Sequence, residues 1–172
     1  MNRWMPMTVA LALWAPTAVA AQDEEWNRYT LENLGGVFVS IDVAEACESA
    51  GVSAADFEAA VSLKLIDGEV GVLTRDEMLR NPALPELRVG LECAAATGGA
   101  TAWVVGLRVQ QAAQMLRDTQ VTLPEAVTWY TTRLGVTAGA SAKGDIEAAL
   151  NAGLDQLVEA WTAANDDEGD GR

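Results

Sequence analysis

Asp42 and Glu92 are the carboxylates that this chain's alternation of apolar and polar residues brings nearest each other, and two carboxylates can divide general acid and general base work between them. Each sits on the less apolar side of its strand pattern, so a solvated or ion-paired surface is the reading we favour, with no cleft expected around them. Trp103, Trp129 and Trp161 could line a ligand pocket, but each falls on an apolar or amphipathic face and is expected in the core. The chain has no histidine, which removes the commonest general base and every Ser-His or Cys-His dyad. Ser141 and Lys143 are two positions apart where a Ser-x-x-Lys nucleophile needs three, so that stretch is expected to be a loop leading into a helix. Gly35 and Gly36 precede a strand pattern instead of following one, which suits a turn and not a phosphate loop. Asp166-Asp167-Glu168-Gly169-Asp170 lacks the alternating oxygen ligands and distal glutamate of a calcium loop. No catalytic, cofactor-binding or metal-ligating residue is assigned, and no cofactor is expected.

Cys47 and Cys93 are the two cysteines. They form no CxxC redox motif and are too few for a zinc site. Cys93 continues the apolar face of Leu87, Val89 and Leu91, while Cys47 follows the end of an earlier strand pattern. A Cys47–Cys93 disulfide is the expectation in an oxidising compartment. Two buried thiols acting as small hydrophobes are the alternative.

That compartment is suggested by the N-terminus. Asn2-Arg3, an apolar run from Met7 to Ala15, and small residues at Ala18-Val19-Ala20 have the order of a secretory signal peptide. Pro16 interrupts the run short of the about 20 apolar residues that a membrane span needs. Cleavage is expected after Ala20 or Ala21, leaving a periplasmic or secreted chain with no stable membrane anchor. The formal net charge of −14 repels polyanions, so nucleic acid is excluded as a partner. With only Lys64 and Lys143 as lysines and much alanine, this acidity reads as general surface composition.

The order of elements follows from periodicity. Val37, Val39, Ile41 and Val43 alternate as a strand. Ser53-Ala54-Ala55-Asp56 resembles a capping box before Phe57, Ala60, Val61 and Leu65 at helical spacing. Residues 69–73 form a short strand, and Thr74-Arg75-Asp76-Glu77 is a second capping box opening a brief helix to about Arg80. Residues 87–95 and 101–111 read as a hairpin around Thr97-Gly98-Gly99-Ala100. A third strand, 126–134, places Val127, Trp129 and Thr131 on one side after a break at Leu123-Pro124. Ile146, Ala149, Leu150, Gly153, Leu154, Leu157, Val158 and Trp161 make the apolar stripe of a final helix. These patterns predict an α+β fold: a two-layer sandwich with a mixed sheet of about five strands and two main helices on one face. The expected organisation is a signal peptide at 1–20, a lead segment at 21–34, a single α/β domain at 35–165 and a disordered acidic tail at 166–172.

Gly36-Val37-Phe38-Val39, Val61-Ser62-Leu63-Lys64-Leu65, Val72-Leu73, Pro85-Glu86-Leu87-Arg88-Val89, Thr128-Trp129 and Ala164-Asn165 together resemble a group of small exported bacterial proteins of unknown function. Asp67, Gly68 and Glu69 depart from that pattern, in which a basic residue follows the first helix. By element order alone the domain is also similar to the small α/β domains of cell-envelope assembly proteins, such as the amino-terminal domain of the translocation protein TolB. Neither resemblance implies a catalytic residue. The expected function is a non-enzymatic protein-interaction module of the cell envelope, with an envelope protein as partner. The alternative is a carrier for a small apolar ligand held between sheet and helices.

Overall fold

Alternation at Val37, Val39, Ile41 and Val43 sets the first core strand, β2 (Val37–Val43), in the computed structural model, which describes residues 19–22, 24–48, 50–138 and 142–166. The short edge strand β1 (Val19–Gln22) precedes it. Most of the expected signal peptide, Ser141 and the acidic tail after Asp166 lie outside the described residues. A one-turn helix, α1 (Glu25–Arg28), comes next, and α2 (Glu45–Glu48) follows β2. The remaining elements are α3 (Ala54–Asp67), β3 (Val72–Leu73), α4 (Arg75–Arg80), β4 (Glu86–Ala95), β5 (Ala100–Gln114), β6 (Thr122–Ala138) and α5 (Ala142–Asn165).

The sheet runs β1-β6-β5-β4-β2-β3. Helix α3 crosses from β2 to β3 in parallel, β2 also pairs in parallel with β4, and β4, β5 and β6 are antiparallel. The fold is therefore the expected α+β sandwich, five strands of the predicted domain plus the edge strand β1. Phe57, Val61 and Leu65 of α3 and Ile146, Leu150, Leu154, Leu157 and Trp161 of α5 pack with Leu87, Val89, Leu107 and Val109 in one core. Trp103, Trp129 and Trp161 all belong to it.

Cys47 and Cys93 are joined, with Cα atoms 5.1 Å apart. Cys47 lies within α2, four residues past the end of β2. No helix among the described residues is long and apolar enough to cross a membrane.

Four local expectations are corrected. The strand expected over 69–73 is reduced to Val72–Leu73 because Glu69 adopts a positive φ of 59° and Val70 turns into the core. There Gly36 and Gly71 approach so closely that a Cβ on Gly36 would stand 2.5 Å from the Gly71 carbonyl oxygen. The break at Leu123-Pro124 is a bulge inside β6: the pairing passes from Gln111↔Ala126 to Ala113↔Leu123, and the Ala112 N–H turns away to the Ala83 carbonyl at 2.7 Å. A proline is tolerated where the ladder is already interrupted. Val127 is not on the core side with Trp129; Gln110 pairs Val127 and Val109 pairs Trp129, so Thr128 is an extra residue that reverses the alternation and leaves Val127 48% exposed. Finally, α5 begins at Ala142, taking in Lys143 and Gly144 that were expected in a loop.

Residues 21–34 also build the domain. Leu31 and Leu34 are buried in the core. Gln111 Nε2 donates to the Thr30 carbonyl at 2.8 Å, and Asn165, at the end of α5, accepts from the Asn33 N–H at 3.1 Å.

Candidate functional site

With α3 and α5 on one face of the sheet, alternation turns Ser40, Asp42, Arg88, Gly90, Glu92, Val104, Gly106, Arg108, Tyr130, Thr132, Leu134 and Val136 to the other. Register arranges them in rows. Ser40, Arg88, Arg108 and Tyr130 are successive cross-strand partners, as are Asp42, Gly90, Gly106 and Thr132, and as are Glu92, Val104 and Leu134. The two glycines at the centre of the middle row have no side chains to raise, so the face sinks into a groove of about 380 Å³. Arg88 and Arg108 wall it on one side and Glu92 and Val104 on the other, with Asp42 and Thr132 at the two ends of the middle row.

Asp42 and Glu92 are thus brought to one groove, although the alternation alone foresaw no cleft around them. Both are exposed, and the groove is open to water. Arg88 and Arg108, directly opposite one another, are a like-charge pair. Glu86 offsets it in part, its Oε1 lying 3.4 Å from Arg88 Nη2. Among the described residues no group of three or more His, Cys, Asp or Glu side chains is placed to hold a metal ion.

A second hollow, of about 570 Å³, adjoins the groove and shares Arg88 with it. Its floor is Phe38, Ser40, Glu86 and Gln110 of the sheet; Arg75, Met78 and Leu79 of α4 form one wall, and Pro124 and Glu125 of β6 another. The short helix that carries this wall is firmly started. Thr74 Oγ1 accepts from the Glu77 N–H, while Glu77 Oε2 accepts from the Thr74 N–H at 2.7 Å and from its hydroxyl at 2.7 Å. The backbone bond above all, then the hydroxyl bond, hold the Glu77 carboxyl below the usual carboxylate range, with Arg80 adding to them. Gln110, Phe38, Leu79 and Arg108 were not singled out from the sequence, because each is ordinary in its own strand or helix and only the register assembles them.

Between the sheet and the helices, the core is closely filled where it is described. The space bounded by Ile41, Val43, Phe57, Val89, Leu91, Val105, Ile146 and Leu150 amounts to about 10 Å³, the scale of a single water. The three tryptophans fill core and line neither hollow. In comparison with known proteins, no family model, no curated protein and no solved structure matches this chain.

Proposed function

We propose that this chain is a non-enzymatic, exported protein-interaction module of the cell envelope, binding another protein through the open face of its sheet. The observation that carries the reading is the sheet face opposite α3 and α5, open among the described residues. Val104, Val127, Leu134 and Val136 are 37 to 68% exposed there, beside two adjoining hollows. Val104, Leu134 and Val136 adjoin one another in the register, and an exposed apolar patch beside charged residues is an ordinary signature of a protein contact. The alternative, a carrier for a small apolar ligand between sheet and helices, is disfavoured by the tightly filled interior. Export to the periplasm or beyond is supported by the signal-like N-terminus and by the disulfide, which suits an oxidising compartment.

The test is capture from envelope extract by the tagged chain and by a Leu134→Lys, Val136→Lys double variant whose circular dichroism is unchanged. A partner held by the parent and released by the variant is expected. A partner that binds both equally overturns the open face as the interface. Turnover of a substrate that Asp42→Asn or Glu92→Gln abolishes in a folded chain overturns the non-enzymatic reading and replaces it with acid/base catalysis.

A further inference from the structure

Gly90 and Gly106 face each other in the middle of β4 and β5, and neither is glycine for want of room. A Cβ on Gly90 would meet nothing nearer than the Gly106 carbonyl oxygen at 4.0 Å, and one on Gly106 nothing nearer than Thr132 Oγ1 at 3.9 Å. Neither holds a positive φ. Gly36, Gly71 and Gly135 differ, since a Cβ at each would collide with backbone or with the Trp103 ring. Glycine inside a strand weakens it and packs nothing, so a pair that neither crowding nor conformation requires marks a place that another molecule approaches.

The charges beside this pair are arranged by the same register. The order is Arg88-Val89-Gly90 along β4 and Gly106-Leu107-Arg108 back along β5, so both guanidinium groups come to one side of the glycines. Like charges directly opposite each other repel, and among the described residues only Arg88 of the two has an ion pair, with Glu86 at 3.4 Å. On the other side stands Glu92, while Asp42 ends the glycine row. Neither Asp42 nor Glu92 forms an ion pair among the described residues. The groove is therefore polarised, cationic along one wall and anionic beyond the glycines.

We propose that this groove holds a short peptide with both ends free, the length of a tripeptide, its carboxylate between Arg88 and Arg108 and its ammonium at Glu92 and Asp42. A carboxylate between the two arginines removes their repulsion and meets donors set in the fork geometry that suits it. From Arg88 to Glu92 β4 advances about 13 Å, and three extended residues span about 10 Å, so one such chain serves both walls. The glycines leave it a floor without side chains, and the volume of about 380 Å³ is in the range of small-ligand sites. A bare anion or a fatty acid would answer the arginines and leave Asp42 and Glu92 unpaired. An internal stretch of polypeptide has neither terminal charge. The inference goes beyond the protein contact proposed above and does not rest on it.

The test is titration of the ¹⁵N-labelled chain with trialanine, followed in ¹H–¹⁵N spectra. Saturable shifts are expected at the backbone amides of Arg88, Gly90, Glu92, Gly106 and Arg108. Trialanine amide, which lacks the carboxylate, and N-acetyl-trialanine, which lacks the ammonium, are each expected to bind about fivefold more weakly, the worth of one exposed ion pair, and Arg108→Gln is expected to do the same. Gly90→Ala has room in the fold, so it should keep the parent's circular dichroism and unfolding midpoint while weakening the peptide by raising the floor. Inorganic phosphate shifting the same amides with equal affinity would mean an adventitious ion only and overturns the proposal. So does either blocked peptide binding as tightly as trialanine, a folded Gly90→Ala or Arg108→Gln chain binding it unchanged, or no saturable shift in this groove.

Discussion

Trp103 and Gly135 face each other across β5 and β6, and the indole occupies the space where a side chain at 135 would begin. A Cβ there would stand 2.7 Å from Trp103 Cε2, far inside van der Waals contact. The same edge of the ring is held in place, since Nε1 donates to Thr137 Oγ1 at 3.0 Å and that hydroxyl donates to Asp145 Oδ2 at 2.6 Å. Gly135→Ala is therefore expected to cost about 1–3 kcal/mol by overpacking, read in urea denaturation with a loss of tryptophan near-ultraviolet signal. An unchanged midpoint would mean that the ring can tilt freely. At Glu77 the expectation concerns pH. Its proton affinity is lowered by folding, so the stabilisation is present above the unfolded carboxylate range and lost as pH falls through the lower folded value. A carboxylate titration by NMR should place Glu77 below the ordinary glutamate range, and Thr74→Val, which removes the hydroxyl bond, should raise it toward that range. No change in Thr74→Val would assign the shift to the Thr74 backbone N–H, which valine retains, and not to the hydroxyl.

At the scale of the element, α5 tests whether its stripe is read correctly. Leu154 is fully buried, and Leu154→Ala is expected to cost about 2–5 kcal/mol through lost burial and the cavity left behind. The adjacent Asp155 pairs with Lys64 of α3 at 2.6 Å, but both side chains are well exposed, so Asp155→Ala is expected to cost under about 1 kcal/mol. Equal costs in thermal or urea unfolding would mean that the helix is rotated from the position described. The stripe was legible because a helix this long repeats its period many times, and the hairpin was legible because β4 and β5 keep strict alternation. That same alternation is why Asp42 and Glu92 were recognised as neighbours on one face. Where an element departs from its period, local reading fails. The bulge at Thr128 reverses Val127, and Pro124 looks like a strand end only until the interrupted ladder beside it is known. The hollow was illegible for a further reason: Phe38, Leu79, Leu84, Gln110 and Pro124 come from five separate segments, and no spacing along the chain links them.

At the scale of the whole molecule, the expected cleavage site falls within a strand of the sheet. Strand β1 pairs with the outer edge of β6 through Val19↔Thr132 and Gln22↔Tyr130, with an irregular register between them. Cleavage after Ala20 or Ala21, as the signal-like sequence leads us to expect, cuts through this strand. Among the described side chains the first in the core is Leu31, beyond the cut, so the fold is expected to absorb the loss. A chain starting at Ala21 should accordingly unfold within about 0.5 kcal/mol of the full-length chain, as changes remote from the core usually do. Its loss leaves more of the β6 edge, next to the exposed Leu134 and Val136, with unpaired backbone groups of the kind that invite a further strand. The intact mass of the exported protein should correspond to a start at Ala21 or Gln22. A mass retaining Met1, or a drop of several kcal/mol on removing residues 1–20, would make β1 an integral strand and the N-terminal segment part of the folded protein.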